Sequence, residues 1–275
     1  LLDPLEVRRI AERAGIATVP WSGEAVDTLE QAKAHADRVG YPVLCRTSGS
    51  AQAGFGLART AEELPDVFRG AQRAATRSGS LVLLERFLPR MRRLEVPVIS
   101  SPQGRWALDV IDASLRRRDG SVLVEAPATG LRPEITERLR ALAIQLADAF
   151  EHEHVGTMIF LLDPSSEQVT FVGYDFCCGG EHAAAEMLRG IDLAKLQLQL
   201  AFAQGDVREP PEPRGTAVVA HVKVKADESE PLVLEHFTAA TGAGTQTTEA
   251  ATTQSGNTRC STSAPAPTTS GLADH

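Results

Sequence analysis

The hydrophobic pattern of the chain changes at Leu81, where helices alternating with short strands give way to consecutive strands. Between Leu81 and Glu125, apolar or alternating runs are separated by the turn sequences SPQG and Asp119-Gly120, which are typical of antiparallel hairpins. The runs are LVLLERFL, RLEVPVIS, RWALDVIDASL and SVLVEA. Because both patterns occur in this order, the sequence predicts an α+β fold in two lobes.

Three helices and two strands are predicted before this change of pattern. The first helix has an N-cap and a proline at its start, and the other two each begin with a capping box. These signals are Asp3-Pro4 with a stop at Gly15, Thr28 with Gln31 for a helix ending before Gly40, and Thr60 with Glu63 for a helix ending near Ser78. Short strands are predicted at 16–19 and 41–46.

Beyond the strand block, helical periodicity resumes from Pro133 to Glu153. Strands are predicted at 156–162 and 169–174, on either side of the turn DPSSEQ, and a helix capped by Asp192 runs to Ala203. After that helix the sequence loosens into the linker EPPEPRG and one alternating run, TAVVAHVKVKA. Residues 237–275 are rich in Thr, Ser, Ala and Gly, which predicts disorder.

Composition argues against several classes of function. The net charge is −8 and the basic residues are spread along the chain, which is unlike a nucleic-acid-binding protein. No apolar run approaches the roughly 20 residues that a membrane helix needs, and the N-terminus has no signal-peptide layout. Four cysteines in 275 residues fit a reducing compartment. We therefore expect a cytoplasmic protein with no nucleic-acid or membrane partner.

The stretch FVGYDFCCGGEH, from Phe171 to His182, contains the residue types of more than one kind of site. Cysteine, histidine and aspartate ligate zinc, but Cys177 and Cys178 are adjacent, unlike the spacing that turns two thiolates toward one ion. A second interpretation is a nucleophilic Cys177 with Glu181 beside it. A third, which we favour, is a loop of small residues that has lost its ligand.

Several stretches resemble the central region of biotin carboxylase, an ATP-grasp enzyme that carboxylates biotin with ATP and bicarbonate. They are AERAGIATVP, DTLEQAKAHADRVGYPV, LVLLERFLPRMRRLEV, VEAPATGL, VGTMIFLLD and RGIDLAKLQLQLA. The resemblance implies an ATP-grasp fold of two lobes, without the N-terminal lobe of that family and with a truncated C-terminal lobe. It implies an ATP-grasp domain at 1–205 and a remnant of the C-terminal lobe at 206–236, followed by the tail at 237–275 whose composition predicts disorder.

The resemblance also implies positions for a nucleotide. Arg46 stands where the family has a phosphate-binding lysine. The stretch SGSAQAGFG replaces a loop that is richer in glycine, so we expect weaker binding of the phosphates. Glu85 and Leu88 match the segment that faces the base or ribose, and Leu161 matches an apolar residue under the purine. The alternative for both leucines is a purely structural role in the core.

Metal binding is the least well preserved feature. The family holds Mg²⁺ with two glutamates and an asparagine, whereas this chain has Ile159, Gly173 and Asp175 at those positions. Asp175 is the remaining candidate for a metal ligand, and the alternative is that it caps the next turn. The implied cofactor is therefore ATP, with residues that argue against Mg²⁺, and biotin would not be covalently attached.

The carboxylation centre is changed in the same way. The family's biotin-side arginine is Cys177 here and its bicarbonate-binding pair is Gly179-Gly180, so Glu181 is the remaining candidate catalytic base. A base without its electrostatic partners loses most transition-state stabilisation. We expect a weak nucleotide binder, inactive or impaired as a carboxylase, that pairs with itself or with subunits of a carboxylase. The alternatives are an active divergent ATP-dependent carboxylase or ligase and a decaying gene copy.

Overall fold

The computed structural model describes residues 4–48, 56–116, 122–176, 182–202, 207–221, 246–250 and 259–263. The chain divides into two compact units. The first unit comprises Leu1–Met91 and Ile159–Tyr174, and the second comprises Arg92–Met158 and Asp175–His275. Among the described residues, no helix combines the length and the apolar character that a membrane span requires.

The first unit packs helices against a small antiparallel sheet. Its elements are α1 (Pro4–Arg13), α2 (Leu29–Val39), β1 (Val43–Thr47), β2 (Gly56–Ala58), α3 (Leu64–Ser78) and β3 (Val82–Arg86). The strands lie in the order β2-β1-β3, and both pairings are antiparallel. The apolar faces of α2, α3 and these strands form one core around Phe68, Val43 and Leu84.

The described residues of the second unit form a larger sheet and three helices. The remaining elements are β4 (Arg92–Ser101), β5 (Gly104–Ala107), β6 (Ile111–Arg116), β7 (Val122–Ala126), α4 (Pro133–Ala149), β8 (Val155–Leu162), β9 (Val169–Asp175), α5 (Ala183–Arg189), α6 (Leu193–Ala201) and β10 (Ala217–His221). Strands β10, β7, β6, β4 and β8 follow one another in that order, and β5 also pairs with β4. Strand β8 begins in the second unit and ends in the first, which also contains β9 as far as Tyr174.

One of the two predicted capping boxes forms. The Thr28 side chain accepts a hydrogen bond from the backbone of Gln31, and the Gln31 side chain accepts one from Thr28 in return. The box predicted at Thr60 with Glu63 is wrong, because α3 begins at Leu64 and has no side-chain cap. The Glu63 carboxylate instead accepts a hydrogen bond from the backbone of Arg59 at 2.8 Å.

Other predicted elements differ from the structure in extent. The strand predicted at 16–19 is reduced, among the described residues, to one isolated bridge, which pairs Thr18 with Phe171. The run RWALDVIDASL is divided into β5 and β6. Asp109 lies at this break, where its carboxylate pairs with the guanidinium of Arg189 on α5, with Nε and Oδ2 2.7 Å apart. Helix α5 itself was not predicted.

Two strands lie within the segment whose composition predicts disorder. They are β11 (Gln246–Ala250) and β12 (Arg259–Ser263), which pair antiparallel with Thr248 opposite Ser261. For these residues the structure differs from the prediction, and their threonines are typical of strands. The predicted N-cap Asp3 and most of 222–275 lie outside the described residues, so the predicted domain boundaries remain predictions.

Candidate functional site

Two of the predicted site residues, Arg46 and Glu85, meet in the first unit. In the antiparallel pair of β1 and β3, Leu44 lies opposite Glu85 and Arg46 opposite Leu83. Because side chains alternate between faces along a strand, Arg46 and Glu85 share a face as diagonal neighbours. The Arg46 Nη1 atom lies 3.5 Å from Glu85 Oε1. The prediction did not include this contact between the two residues.

Arg8 joins Arg46 and Glu85 in one charged cluster, and it was not among the site residues predicted from the sequence. It lies on α1, where its Nη2 atom donates a hydrogen bond to Glu85 Oε2. Its guanidinium also lies 5.6 Å from the centre of the Trp21 ring, within range of a cation–π contact. No local sequence signal indicates the pairing of Arg8 with Glu85, because the two residues are 77 positions apart.

The segment after β3 has one open backbone donor. The backbone N–H of Arg86 donates to Pro20 at 2.7 Å, and that of Phe87 donates to Pro42 at 2.9 Å. Among the described residues, the N–H of Leu88 has no such partner. Leu88 is half-buried, as is Leu161 on β8. A free N–H next to a half-buried apolar side chain suits an acceptor nitrogen of a purine.

The positions expected to hold a metal do not fit Mg²⁺. Ile159 on β8 and Gly173 on β9 supply no side-chain oxygen, and Mg²⁺ is bound by oxygen ligands. A Cβ atom added at Gly173 would meet no atom within 4 Å, so close contacts do not require glycine at this position. Within the described ranges, no group of three or more His, Cys, Asp and Glu side chains could hold a metal ion.

The predicted metal ligand Asp175 lies at the end of β9, and the predicted catalytic base Glu181 follows it in the sequence. Asp175 is exposed at the last position of β9 and belongs to the second unit. Glu181 and residues 177–180 lie outside the described residues, so the zinc and nucleophile interpretations stay predictions. His182 follows them, buried, and its Nε2 atom hydrogen-bonds with the Thr157 hydroxyl.

Cys45 is the cysteine next to Arg46, and it offers no reactive thiolate. It is buried, and burial raises the pKa of its thiol to about 12. A thiol with that pKa stays protonated at neutral pH, and it is the thiolate that acts as a nucleophile. The chemistry available at this strand is therefore that of the Arg46 cation.

Comparison with known proteins identifies the family. Residues 3–206 match the family model described as the carbamoyl-phosphate synthase L chain, ATP binding domain. That match spans most of the chain. The chain belongs to this family. The fold is an ATP-grasp fold of the biotin carboxylase type, as the resemblance implied, and its relatives include acyl-CoA and pyruvate carboxylases.

Named relatives and a solved structure support this assignment. The chain is 32% identical over 203 residues to the methylcrotonoyl-CoA carboxylase subunit alpha of Glycine max, covering 72% of this chain and 28% of that protein. It is 32% identical over 198 residues to biotin carboxylase 1 of Bacillus subtilis, covering 70% of this chain and 44% of that protein. The chain thus spans less than half the length of both curated relatives.

The solved structure is the biotin carboxylase domain dimer of 2-oxoglutarate carboxylase from Hydrogenobacter thermophilus. The likeness covers 96% of this chain and 62% of that chain, with a TM-score of 0.84 and 25% identity. That structure is described as a complex with MgADP, ADP and bicarbonate. The biotin-carboxylase-like ATP-grasp fold predicted from the sequence is therefore confirmed.

Proposed function

We propose that this domain binds an adenine nucleotide weakly and lacks effective biotin carboxylase activity. The observation that carries the proposal is a contrast within the first unit. Arg46 keeps a partly exposed cation, with 30% of its side chain accessible, while Ile159 and Gly173 offer no metal ligand. The Arg46 guanidinium can bind a phosphate group. Because Ile159 and Gly173 offer no metal ligand, the charge that develops during phosphoryl transfer has no metal ion to stabilise it.

The ligand class comes from the family and from the local geometry together. A biotin carboxylase domain of similar fold was solved with ADP, and we extend a nucleotide ligand to this chain on that likeness. The open N–H of Leu88 and the half-buried side chains of Leu88 and Leu161 support a purine. Arg46 supports the phosphate end. Adenine nucleotide and Arg46 are therefore the pair to test.

Calorimetric titration with ADP tests this proposal on three proteins. The Arg46→Met variant removes a charge-assisted hydrogen bond, which contributes about 1.5–3 kcal/mol, so its affinity should fall by at least about tenfold. Arg69→Met is the matched control, because Arg69 is exposed on α3 and pairs only with nearby Asp66 among the described side chains. Its affinity should equal that of the wild type.

Two outcomes would contradict the proposal. The first is a wild-type protein that binds no ADP at millimolar concentration. The second is an equal loss of affinity in the Arg46 and Arg69 variants, which would exclude Arg46 as a specific phosphate contact. A thermal melt gives an independent check, because ligand at a hundred times its dissociation constant stabilises a protein by about 2.7 kcal/mol.

The second candidate is an active, divergent ATP-dependent carboxylase or ligase. One observation favours it: Asp175 presents an exposed carboxylate at the end of β9. In that case Asp175 and Glu181 would carry the chemistry with altered partners. Steady-state turnover with bicarbonate and free biotin separates the two candidates, and substitution of either carboxylate would abolish activity only in the second.

Association with other chains is also proposed. Relatives are named as the alpha subunit or small subunit of a carboxylase, and the similar biotin carboxylase domain was solved as a dimer. We infer that this chain pairs with itself or with the subunits of a biotin-dependent carboxylase. Sedimentation equilibrium of the purified protein would show a dimer if self-association holds, and a monomer at all concentrations would contradict it.

A further inference from the structure

Three charged side chains from three elements of the first unit form one cluster. Arg8 comes from α1, Arg46 from β1 and Glu85 from β3. The two carboxylate oxygens of Glu85 face different arginines: Oε2 accepts a hydrogen bond from Arg8, and Oε1 lies 3.5 Å from Arg46 Nη1. We call these three residues the Arg8–Glu85–Arg46 triad.

The two arginines differ in their access to water. The side chain of Arg8 is 3% exposed and that of Glu85 is 7% exposed, whereas that of Arg46 is 30% exposed. Arg8 is further held by a hydrogen bond from Nη2 to the Val172 carbonyl at 3.4 Å. Arg8 is therefore the buried, permanent counterion of Glu85, and Arg46 is the outer cation.

The charges of the triad sum to +1, because two guanidinium groups face one carboxylate. Since Arg8 already neutralises Glu85, the charge of Arg46 is not consumed by that carboxylate. Its contact with Glu85 is long and uses one terminal nitrogen, whereas a guanidinium has five N–H donors. If Arg8 were absent, the buried carboxylate would take Arg46 as its counterion, and the net charge of the cluster would be zero.

Arg8 also carries a donor that the fold does not satisfy. Its Nη1 atom is buried and has no hydrogen-bond partner among the described residues. An unsatisfied buried donor on a charged group destabilises a protein. An arginine at this position is therefore not explained by stability alone, whereas its effect on the charge of Arg46 gives it a role in binding.

We propose that Arg8 is a positioning residue that serves as the counterion of the Glu85 carboxylate and thereby leaves Arg46 available to the diphosphate group of a nucleotide. The inference rests on the proposed function and refines it. Glu85 then serves as the acceptor within the triad rather than as a contact to the base or ribose. The triad selects the anionic end of the ligand, which ADP and inorganic pyrophosphate share and adenosine lacks.

The test measures binding of ADP, inorganic pyrophosphate and adenosine by calorimetry to the full chain and its variants. Arg8→Met keeps the length of the side chain without its charge, and it should weaken ADP and pyrophosphate binding by about tenfold or more while leaving adenosine binding unchanged. Arg8→Met combined with Glu85→Gln removes both charges of the buried pair. That double variant should recover most of the lost affinity, because Arg46 again has no buried carboxylate to neutralise.

A second variant keeps the proposal testable if Arg8→Met fails to fold. Glu85→Gln alone leaves both arginines without their carboxylate, so pyrophosphate affinity should be equal to or greater than that of the wild type. If Glu85 contacts the base or ribose instead, Glu85→Gln weakens adenosine binding, and the proposal is overturned. Circular dichroism melts establish which variants are folded.

The remaining outcomes separate this inference from the proposed function. Wild-type protein that binds neither ADP nor pyrophosphate overturns both. Wild-type protein that binds them while Arg8→Met binds them equally well overturns the role of Arg8 alone. A double variant as weak as Arg8→Met, although folded, shows that Arg8 acts only through local structure, and this result also overturns the inference.

Discussion

At the scale of single residues, the Glu85 carboxylate lies between two arginines, Arg8 on α1 and Arg46 on β1. Arg46 and Glu85 were predicted as site residues, and the structure brings them together through the pairing of β1 with β3. The role predicted for Glu85, facing a base or ribose, was inferred without its partner Arg8. That partner could not be predicted, because α1 reaches β3 through tertiary packing and no short-range spacing encodes it.

A prediction at this scale concerns the pH dependence of stability. His152 is buried, and its Nδ1 atom lies 2.8 Å from the Ser100 hydroxyl. Burial, with further contributions from His154 and Arg105, lowers its pKa to about 4 from an ordinary value of 6.5. The folded state therefore keeps this histidine neutral at pH values where the unfolded chain protonates it.

The sign of the effect follows from that difference. The stabilisation of the folded state by neutral His152 is fully present above pH 6.5 and is lost as the pH falls toward 4. At pH 4 this loss lowers the free energy of unfolding by at most about 3 kcal/mol. Urea denaturation of the wild type and of His152→Asn, between pH 4 and pH 7, measures it. The variant should lose less stability on acidification, and parallel pH profiles of the two proteins would refute the assignment.

At the scale of secondary-structure elements, local signals predicted what local forces determine. Helices α2 and α6 begin where their N-cap residues, Thr28 and Asp192, predict, and both side chains accept the expected backbone hydrogen bonds. Helix α5 was missed because it is only seven residues long and has no side-chain cap. Its Arg189 is anchored by Asp109, a tertiary contact that the sequence pattern does not reveal.

The two predicted capping boxes provide a matched pair of variants. Thr28→Ala removes a reciprocal cap that the structure contains, and it should lower the free energy of unfolding by about 1 kcal/mol. Thr60→Ala changes the same residue type at a box that does not form, and its effect should be clearly smaller. Chemical denaturation of both variants measures the difference, and equal losses would contradict the described start of α3.

Strands β8 and β9 allow a gain-of-function prediction. Replacing Ile159 and Gly173 together by glutamate introduces two carboxylates, and a Cβ atom at Gly173 meets no atom within 4 Å. We expect the Ile159→Glu, Gly173→Glu protein to bind ADP more tightly in Mg²⁺ than in EDTA, because Mg²⁺ would bridge carboxylate and phosphate oxygens. Wild-type protein should show no gain from Mg²⁺.

The control for this prediction carries glutamine at both positions, which matches the size of glutamate without its charge. Calorimetry in Mg²⁺ and in EDTA compares the three proteins. A gain from Mg²⁺ in the wild type would show that the chain already has a metal site that the described residues do not reveal. A gain in the glutamine control would show that size, not charge, is responsible.

At the scale of the whole molecule, the sequence predicted two lobes from the change of pattern at Leu81, and the structure has two compact units. The linear pattern did not predict that 159–174 belong with the first unit. The unit to which a segment belongs depends on its backbone pairing, and the bridge between Thr18 and Phe171 is one such pairing. The family assignment succeeded because its matching stretches lie at turns and buried faces, which depend on local sequence.

The central claim is that the ATP-grasp fold and a phosphate-binding cation are kept while carboxylase chemistry is lost. The most direct measurement is the rate of ADP release from ATP in bicarbonate, free biotin and Mg²⁺, on protein shown by calorimetry to bind ADP. We expect measurable ADP binding and a rate of ADP release equal to that of a blank without enzyme. Biotin-dependent ADP release above that blank, abolished by Asp175→Asn or Glu181→Gln, would contradict it.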